Sequence, residues 1–190
     1  MINPLIGTCS WNYDSWVGLV YTRKCPTAAD YLKEYSLKYR TAEIDSWFYK
    51  IPLRQEAESY RARVDDDFRF TCKVSNQISL THRRNFKNPG PLQVNPDFLS
   101  PGLFQEYLRA AEPLNNQIDA YMLEFEYLNR EKMPSQDTFL RALDDFLKDL
   151  EPIARMALDL VERGFKVTIN VNNHYEGSSP LTIEKLLPLF

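Results

Sequence analysis

The sequence lacks any stretch near the ~20 consecutive apolar residues that a membrane span needs. Its opening residues, Met1-Ile2-Asn3-Pro4, show no basic run leading into an apolar core. Neither a membrane-spanning nor an exported chain is expected, and the sequence reads as cytoplasmic. Cysteine is scarce. Cys9, Cys25 and Cys72 are an odd number without a CxxC spacing, which fits reduced thiols rather than a disulfide framework. Charge of one sign is also missing. Lys and Arg total 23 against 26 Asp and Glu, a net charge of −3, so no bulk electrostatic drive toward nucleic acid or an anionic membrane is expected. Histidine is limited to His82 and His174, and neither belongs to an HxxxH pair. A histidine-based metal site would need long-range assembly, and no spacing points to a carboxylate site for Mg²⁺ or Ca²⁺. No metal is therefore expected, and no cofactor can be named. No GxGxxG or GxxxxGK follows an apolar run, which leaves a dinucleotide fold or a P-loop without support. There is no repeat of fixed period and no low-complexity segment.

What is present describes a globular domain. The chain has 190 residues, 44% hydrophobic, 26% charged and 13% aromatic, enough for one domain spanning 1–190. The short apolar run Pro4 to Cys9 suits a buried strand, and an aromatic loop with Trp11, Tyr13, Trp16 and Tyr21 follows it. Pro26 and Thr27 open a helix with apolar positions at Ala28, Tyr31, Leu32, Tyr35 and Tyr39. A second strand is expected over Thr41–Phe48, a helix over Gln55–Val64 and a third strand over Phe68–Val74. The segment Asn85–Gly102, with Pro89, Pro91, Pro96 and Pro101, is a long excursion of the kind that is functional or mobile. Helical spacing returns at Leu103, Phe104, Tyr107, Leu108 and Ala111, and a fourth strand is expected over Ala120–Phe125. Phe139, Leu143, Phe146 and Leu150 form a helical stripe that Ile153, Ala157 and Leu160 continue across Pro152, so two helices abut without a strand between them. A last strand over Lys166–Val171 and a helix over Leu181–Leu189 close the pattern. Strands alternating with helices predict an α/β fold built on a parallel sheet with right-handed crossovers.

Function in such a sheet collects at the carboxyl ends of the strands. Residues two apart on a strand share a face. Glu43 and Asp45 then share one face, Glu124 and Glu126 another, and Thr71, Lys73 and Ser75 a third. Asn170 and Asn172 share parity with His174. If these polar sets converge, acids, a lysine, amides and a histidine meet in one cavity, a setting for acid–base catalysis or cation binding. Internal ion pairing of the acids is the structural alternative. His174 sits in the turn Asn172-Asn173-His174-Tyr175-Glu176-Gly177, which is dense in hydrogen-bonding groups, whereas His82 fits a polar loop. Trp11, Tyr13, Trp16, Trp47, Phe48 and Tyr49 follow strands one and two, where aromatic side chains stack sugars or bases or else plug a barrel end. Arg83, Arg84 and Lys87 fit either a phosphate contact or a solvated charge run.

Several of these segments resemble the YecE-like family, domain of unknown function 72, whose members resemble (β/α)8 barrels. Gly7-Thr8-Cys9-Ser10-Trp11-Asn12-Tyr13 with Trp16 and Gly18 is similar to the family's G-T-S-G-W-S-Y…W-x-G, and Glu43-Ile44-Asp45-Ser46-Trp47-Phe48-Tyr49 to its E-I-N-S-T-F-Y. Phe68-Arg69-Phe70 with Lys73, Thr81-His82, and Asn172-Asn173-His174-Tyr175-Glu176-Gly177 with Pro180 complete the likeness, which runs over about 5–150 and again 164–190. Three departures stand out: Ser10 replaces a glycine, Asp45 an asparagine and Trp47 a threonine. The resemblance implies an incomplete TIM-barrel-like sheet of about five strands, with strands five to seven absent near 153–157. A closed barrel needs eight strands and typically ~250 residues. Omitted residues are the preferred account, ahead of a true deletion covered by a partner or a second copy, or closure into a smaller sheet.

These readings predict an uncharacterised barrel protein with a ligand-binding, hydrolytic acid/base site. Glu43, Glu124 and His174 are the catalytic candidates. Trp11, Tyr13, Asp45, Tyr49, Lys73, His82, Asn172, Asn173 and Glu176 are the ligand-binding candidates. The expected ligand is a sugar- or nucleotide-like small molecule. A phosphate- or nucleic-acid-binding module and a non-catalytic paralogue are the alternatives. If the chain is truly 190 residues long, its open sheet edges predict self-association.

Overall fold

A computed structural model describes residues 5–83 and 91–149. These residues fall into two units, one of residues 5–76 and 102–123 and one of 77–101 and 124–149.

The first unit holds a parallel sheet of four strands: β1 (Thr8–Cys9), β2 (Thr41–Ile44), β3 (Arg69–Lys73) and a strand at Ile118–Met122, which is β6 in chain order. They lie side by side in the order in which the chain makes them. Each crossover therefore adds its strand on the same side, the winding of a (β/α) barrel wall, and not the reversal of a doubly wound sheet. The sheet is an incomplete wall of that kind. Cys9 pairs with Glu43 and Glu43 with Thr71, and a register shift follows Phe70 where β3 meets β6.

The alternation in the sequence explains which face is buried. Ala42, Ile44, Phe70 and Cys72 are buried, while Glu43, Thr71 and Lys73 on the opposite parity stay half-exposed. Helices α1 (Ala28–Tyr35), α2 (Arg54–Arg61) and α4 (Pro101–Ala111) cover the apolar face. Thr27 caps α1, its hydroxyl accepting from the Asp30 N–H at 3.2 Å. Tyr31, Leu32 and Tyr35 follow at helical spacing and are buried. The Tyr35 hydroxyl accepts from the Thr8 N–H at 2.9 Å and donates to the Thr41 carbonyl at 3.0 Å, tying the starts of β1 and β2 together. Gly7 is required beside that tie, because a Cβ there would lie 1.9 Å from the Thr41 carbonyl oxygen.

Two expected strands are repositioned. The second ends at Ile44, not Phe48, and Ser46–Tyr49 form a 3-10 turn. The reason is packing. Turning the chain at Asp45, which has helical angles, lets Trp47 drop into the core with no exposure, against Tyr60 of α2 and Tyr107 of α4. The strand expected over Ala120–Phe125 begins two residues earlier. Gln117, almost fully buried, donates from its side-chain amide to the Asp65 carbonyl at 2.7 Å, and its own carbonyl accepts from the Phe70 N–H. That anchor starts the ladder at Ile118 and ends it at Met122, so Glu124 and Glu126 lie beyond the strand and do not share a pleat.

The second unit contains the single-turn helix α3 (Asn76–Ser79, beginning at the unit boundary), a hairpin of β4 (His82–Arg83) and β5 (Gln93–Val94), and α5 (Gln136–Asp149). Part of the proline-rich excursion is thus ordered as an antiparallel pair. Asn95 organises it, its side-chain amide donating to the Gln77 and Leu80 carbonyls at 2.8 and 2.7 Å. Ser135 caps α5 through the Thr138 N–H. The expected helical stripe to Leu160, the strand over 166–171, the helix over 181–189 and the junction near 153–157 lie outside the described residues. Among the described residues no helix is long and apolar enough to cross a membrane.

Candidate functional site

At the carboxyl ends of β1, β2 and β3, the pleat that buries Ala42, Ile44 and Cys72 against the helices turns Cys9, Glu43 and Lys73 to the other face. Asp45 joins them from the first residue after β2. The Lys73 ammonium lies 3.0 Å from Asp45 Oδ1 and 3.7 Å from Glu43 Oε1. The Cys9 thiol donates to Glu43 Oε1 at 3.0 Å. The Lys73 and carboxylate side chains are each 20–26% exposed, too buried for full solvent screening. The Phe48 ring, on the turn after β2, lies 5.8 Å from the Lys73 nitrogen, within cation–π range.

Cys9 is a proton donor in this arrangement. Desolvation at the strand end pushes its thiol up to about 12, and the hydrogen bond to Glu43 and the charges of Glu43 and Asp45 push the same way against a smaller opposing effect from Lys73. It stays protonated at neutral pH and is not an activated nucleophile. Single ligand atoms from Cys9, Glu43 and Asp45 come within 4.8 Å of one another, a spacing that could hold a cation. Lys73 already brings its ammonium to both carboxylates, so a metal ion would compete with it for the same oxygens.

The aromatic candidates separate into core and rim. Trp11 is 3% exposed, packs edge-on against Tyr60 with centroids 5.2 Å apart, and gives its indole N–H to the Ala28 carbonyl at 2.8 Å. Its place is in the core. Tyr13, resting on Trp16, and Tyr49, resting on Phe48, remain at the surface.

In the second unit, Glu124 is exposed on the segment after β6, while the Glu126 carboxylate is nearly inaccessible. Glu126 accepts from the Thr81 hydroxyl at 2.8 Å, pairs with Lys132 and is also reached by the His82 backbone N–H. Burial alone would raise its pKa. The hydrogen bonds from Lys132 and Thr81 and the Lys132 charge outweigh that, so it is held below the ordinary glutamate value. His82 is buried, with Nδ1 2.9 Å from the Thr81 hydroxyl. Arg83 pairs with Asp97 at 3.4 Å. His174, Asn172, Asn173 and Glu176, and with them Arg84 and Lys87, lie outside the described residues.

Sequence reasoning did not anticipate Cys9 as a member of the strand-end cluster. Its parity with Glu43 and the parallel pairing of β1 with β2 were the signals that could have found it. It also did not anticipate Lys132 as the partner of Glu126, since neither residue lies in a regular element.

Comparison with known proteins bears on the fold and the family. The family model described as "Protein of unknown function DUF72" matches residues 5–173. No curated protein matches the chain. Two crystal structures of a DUF72 family protein from Enterococcus faecalis V583 are similar, each at 16% identity. The first gives a TM-score of 0.55 and covers 95% of this chain and 55% of its own. The second gives 0.52, with 84% and 54%. A DUF72 family protein from Thermotoga maritima MSB8 gives 0.46 at 16% identity, with 73% and 51% covered. This chain thus spans about half the length of the solved proteins it matches.

Proposed function

The chain belongs to the DUF72 family of proteins of unknown function, and from that premise we propose that its strand ends form one wall of a small-molecule site. Glu43, Asp45 and Lys73 would contact the ligand there, and Glu43 would be the acid/base group. The observation that carries this reading is the meeting of one ammonium and two carboxylates, half-buried, at the carboxyl ends of successive parallel strands. That end of a parallel sheet is where side chains from separate strands converge on a ligand.

The chemistry favours a ligand rich in hydroxyl groups. Two carboxylates accept hydrogen bonds from vicinal hydroxyls, Lys73 donates to a ring or ester oxygen, and Tyr13 and Tyr49 offer exposed faces against which a sugar ring packs. Hydrolysis of a glycoside or related ester would use Glu43 as proton donor and acceptor, with Lys73 supporting charge on the leaving oxygen. Glu124 and His174 are the further catalytic candidates, and Asn172, Asn173 and Glu176 the further binding ones. The remaining wall would be supplied at the sheet edges β1 and β6, by more strands of the same protein or by a second copy.

The test is a ligand screen by protein-observed NMR with methyl glycosides and nucleosides, followed by turnover assays with their nitrophenyl derivatives. Binding that perturbs the β1–β3 strand ends and is lost in Glu43→Gln and Lys73→Met supports the reading. Binding elsewhere, or binding indifferent to both substitutions, removes it. Turnover that survives Glu43→Gln removes the acid/base role alone.

A further inference from the structure

The second unit carries a hydrogen-bonded chain that the strand-end site does not use. Glu126 is nearly inaccessible and paired with the Lys132 ammonium, so its carboxylate is ionised and can only accept hydrogen bonds. The Thr81 hydroxyl, 2.8 Å from Glu126 Oε1, must then donate its one proton to that oxygen. The same hydroxyl lies 2.9 Å from His82 Nδ1 and has only lone pairs left to offer. The proton between them therefore belongs to the ring, and Nδ1 carries it.

From this we infer that Thr81, Glu126 and Lys132 hold His82 as the Nδ1–H tautomer, with Nε2 presented to accept a hydrogen bond from a ligand hydroxyl or amine. Among the described residues nothing is found on Nε2. The second anchor from the His82 backbone N–H to Glu126 fixes the residue as well as the ring. The device differs from a catalytic triad in one respect. There an unpaired carboxylate stabilises the imidazolium as it forms. Here the carboxylate is paired with Lys132 and reaches the ring only through the Thr81 hydroxyl. The arrangement selects a tautomer, which suits recognition of a donor. Thr81, Glu126 and Lys132 are positioning residues. The inference is independent of the strand-end reading, since it rests on other residues in the other unit.

The test uses ¹⁵N-histidine NMR. His174→Gln leaves His82 as the one histidine, so the two ring nitrogens are assigned directly. The spectrum at neutral pH is expected to show a protonated Nδ1 and an unprotonated Nε2. Thr81→Val should collapse that pattern toward the tautomer mixture of free imidazole, and Thr81→Ser, which restores the hydroxyl, should keep it. Glycerol and ethanolamine, as hydroxyl and amine probes, should shift Nε2 toward a hydrogen-bonded position in the Thr81 protein and not in Thr81→Val. A protonated Nε2, an averaged spectrum with Thr81 in place, or an Nε2 indifferent to both probes overturns the inference. Should Thr81→Val fail to fold, the comparison between the parent and Thr81→Ser still decides the tautomer.

Discussion

Replacing Lys73 by methionine keeps an unbranched side chain of nearly the same length but removes the ammonium that reaches both carboxylates and the Phe48 ring. The ligand oxygens of Glu43 and Asp45 come within 4.8 Å of one another. Two unit charges at that distance repel by about 3.5 kcal/mol at an effective dielectric near 20 and about 0.9 kcal/mol in bulk water. Side chains 20–26% exposed lie between these limits, which gives a penalty of about 2 kcal/mol for Lys73→Met. With a urea m-value of about 2 kcal/mol/M, the unfolding midpoint should fall by about 1 M. The triple substitution Lys73→Met, Glu43→Gln, Asp45→Asn removes the repulsion along with the cation and should recover most of that loss, because the cost of a broken pair lies largely in the charge left behind. Urea titrations of the parent, the single and the triple variant, followed by tryptophan fluorescence, measure both effects. A single variant within 0.3 kcal/mol of the parent, roughly the error on such differences, would refute the electrostatic account. So would a triple variant no more stable than the single.

Other expectations follow from backbone and thiol chemistry. Gly7→Ala places a Cβ 1.9 Å from the Thr41 carbonyl oxygen, which is backbone and cannot rotate away; β1 must separate from β2, with a loss of about 3 kcal/mol or failure to fold, read from the same titration. Ser10 has φ of 60°, in the left-handed region, so Ser10→Gly should stabilise by about 1 kcal/mol, and no gain would show that the Ser10–Asn12 hydrogen bond offsets the strain. Glu43→Gln keeps an acceptor oxygen but removes one charge that raises the Cys9 thiol, though desolvation remains the largest cause, so Cys9 should alkylate several-fold faster with iodoacetamide at pH 9, as peptide mass mapping would show. Cys72 is raised chiefly by burial, as are Tyr60 and Tyr107. Such groups contribute stability that is complete below the unfolded-state values, about 8.5 for a thiol and about 10 for a phenol, and lost above them. The urea midpoint should therefore fall as pH rises from 8.5 toward 11, and a flat profile would contradict the burial.

The sheet was legible because its strands alternate cleanly. Ala42 and Ile44 against Glu43, and Phe70 and Cys72 against Thr71 and Lys73, fix both pleat and facing without tertiary information. Thr27 and the tyrosines at helical spacing did the same for α1. The misplaced boundaries share a cause, since each was decided by a long-range contact. Trp47 turns the chain at Asp45 because a cavity between Tyr60 and Tyr107 accepts it, and Gln117 starts β6 because Asp65 offers a carbonyl. The parity argument for Glu124 and Glu126 failed for the same reason, because parity means nothing past a strand's end. In the strand-end site, Glu43, Asp45 and Lys73 came from parity. The role of Cys9 required knowing that β1 pairs with β2 in parallel at that register. Trp11, expected to touch ligand, lies in the core because its N–H finds the Ala28 carbonyl.

The most direct test of the strand-end site is a ¹⁵N-HSQC titration of the protein with a panel of methyl glycosides and nucleosides, repeated on Lys73→Met with its charge-balancing partners Glu43→Gln and Asp45→Asn. The account predicts shifts for at least one compound at the β1, β2 and β3 strand ends, saturating in the parent and absent from the folded, neutral variant. Equal shifts in both proteins would contradict it, as would no response to any hydroxyl-rich compound. The Glu43–Lys73–Asp45 cluster would then be an internal ion pair that holds the strand ends together.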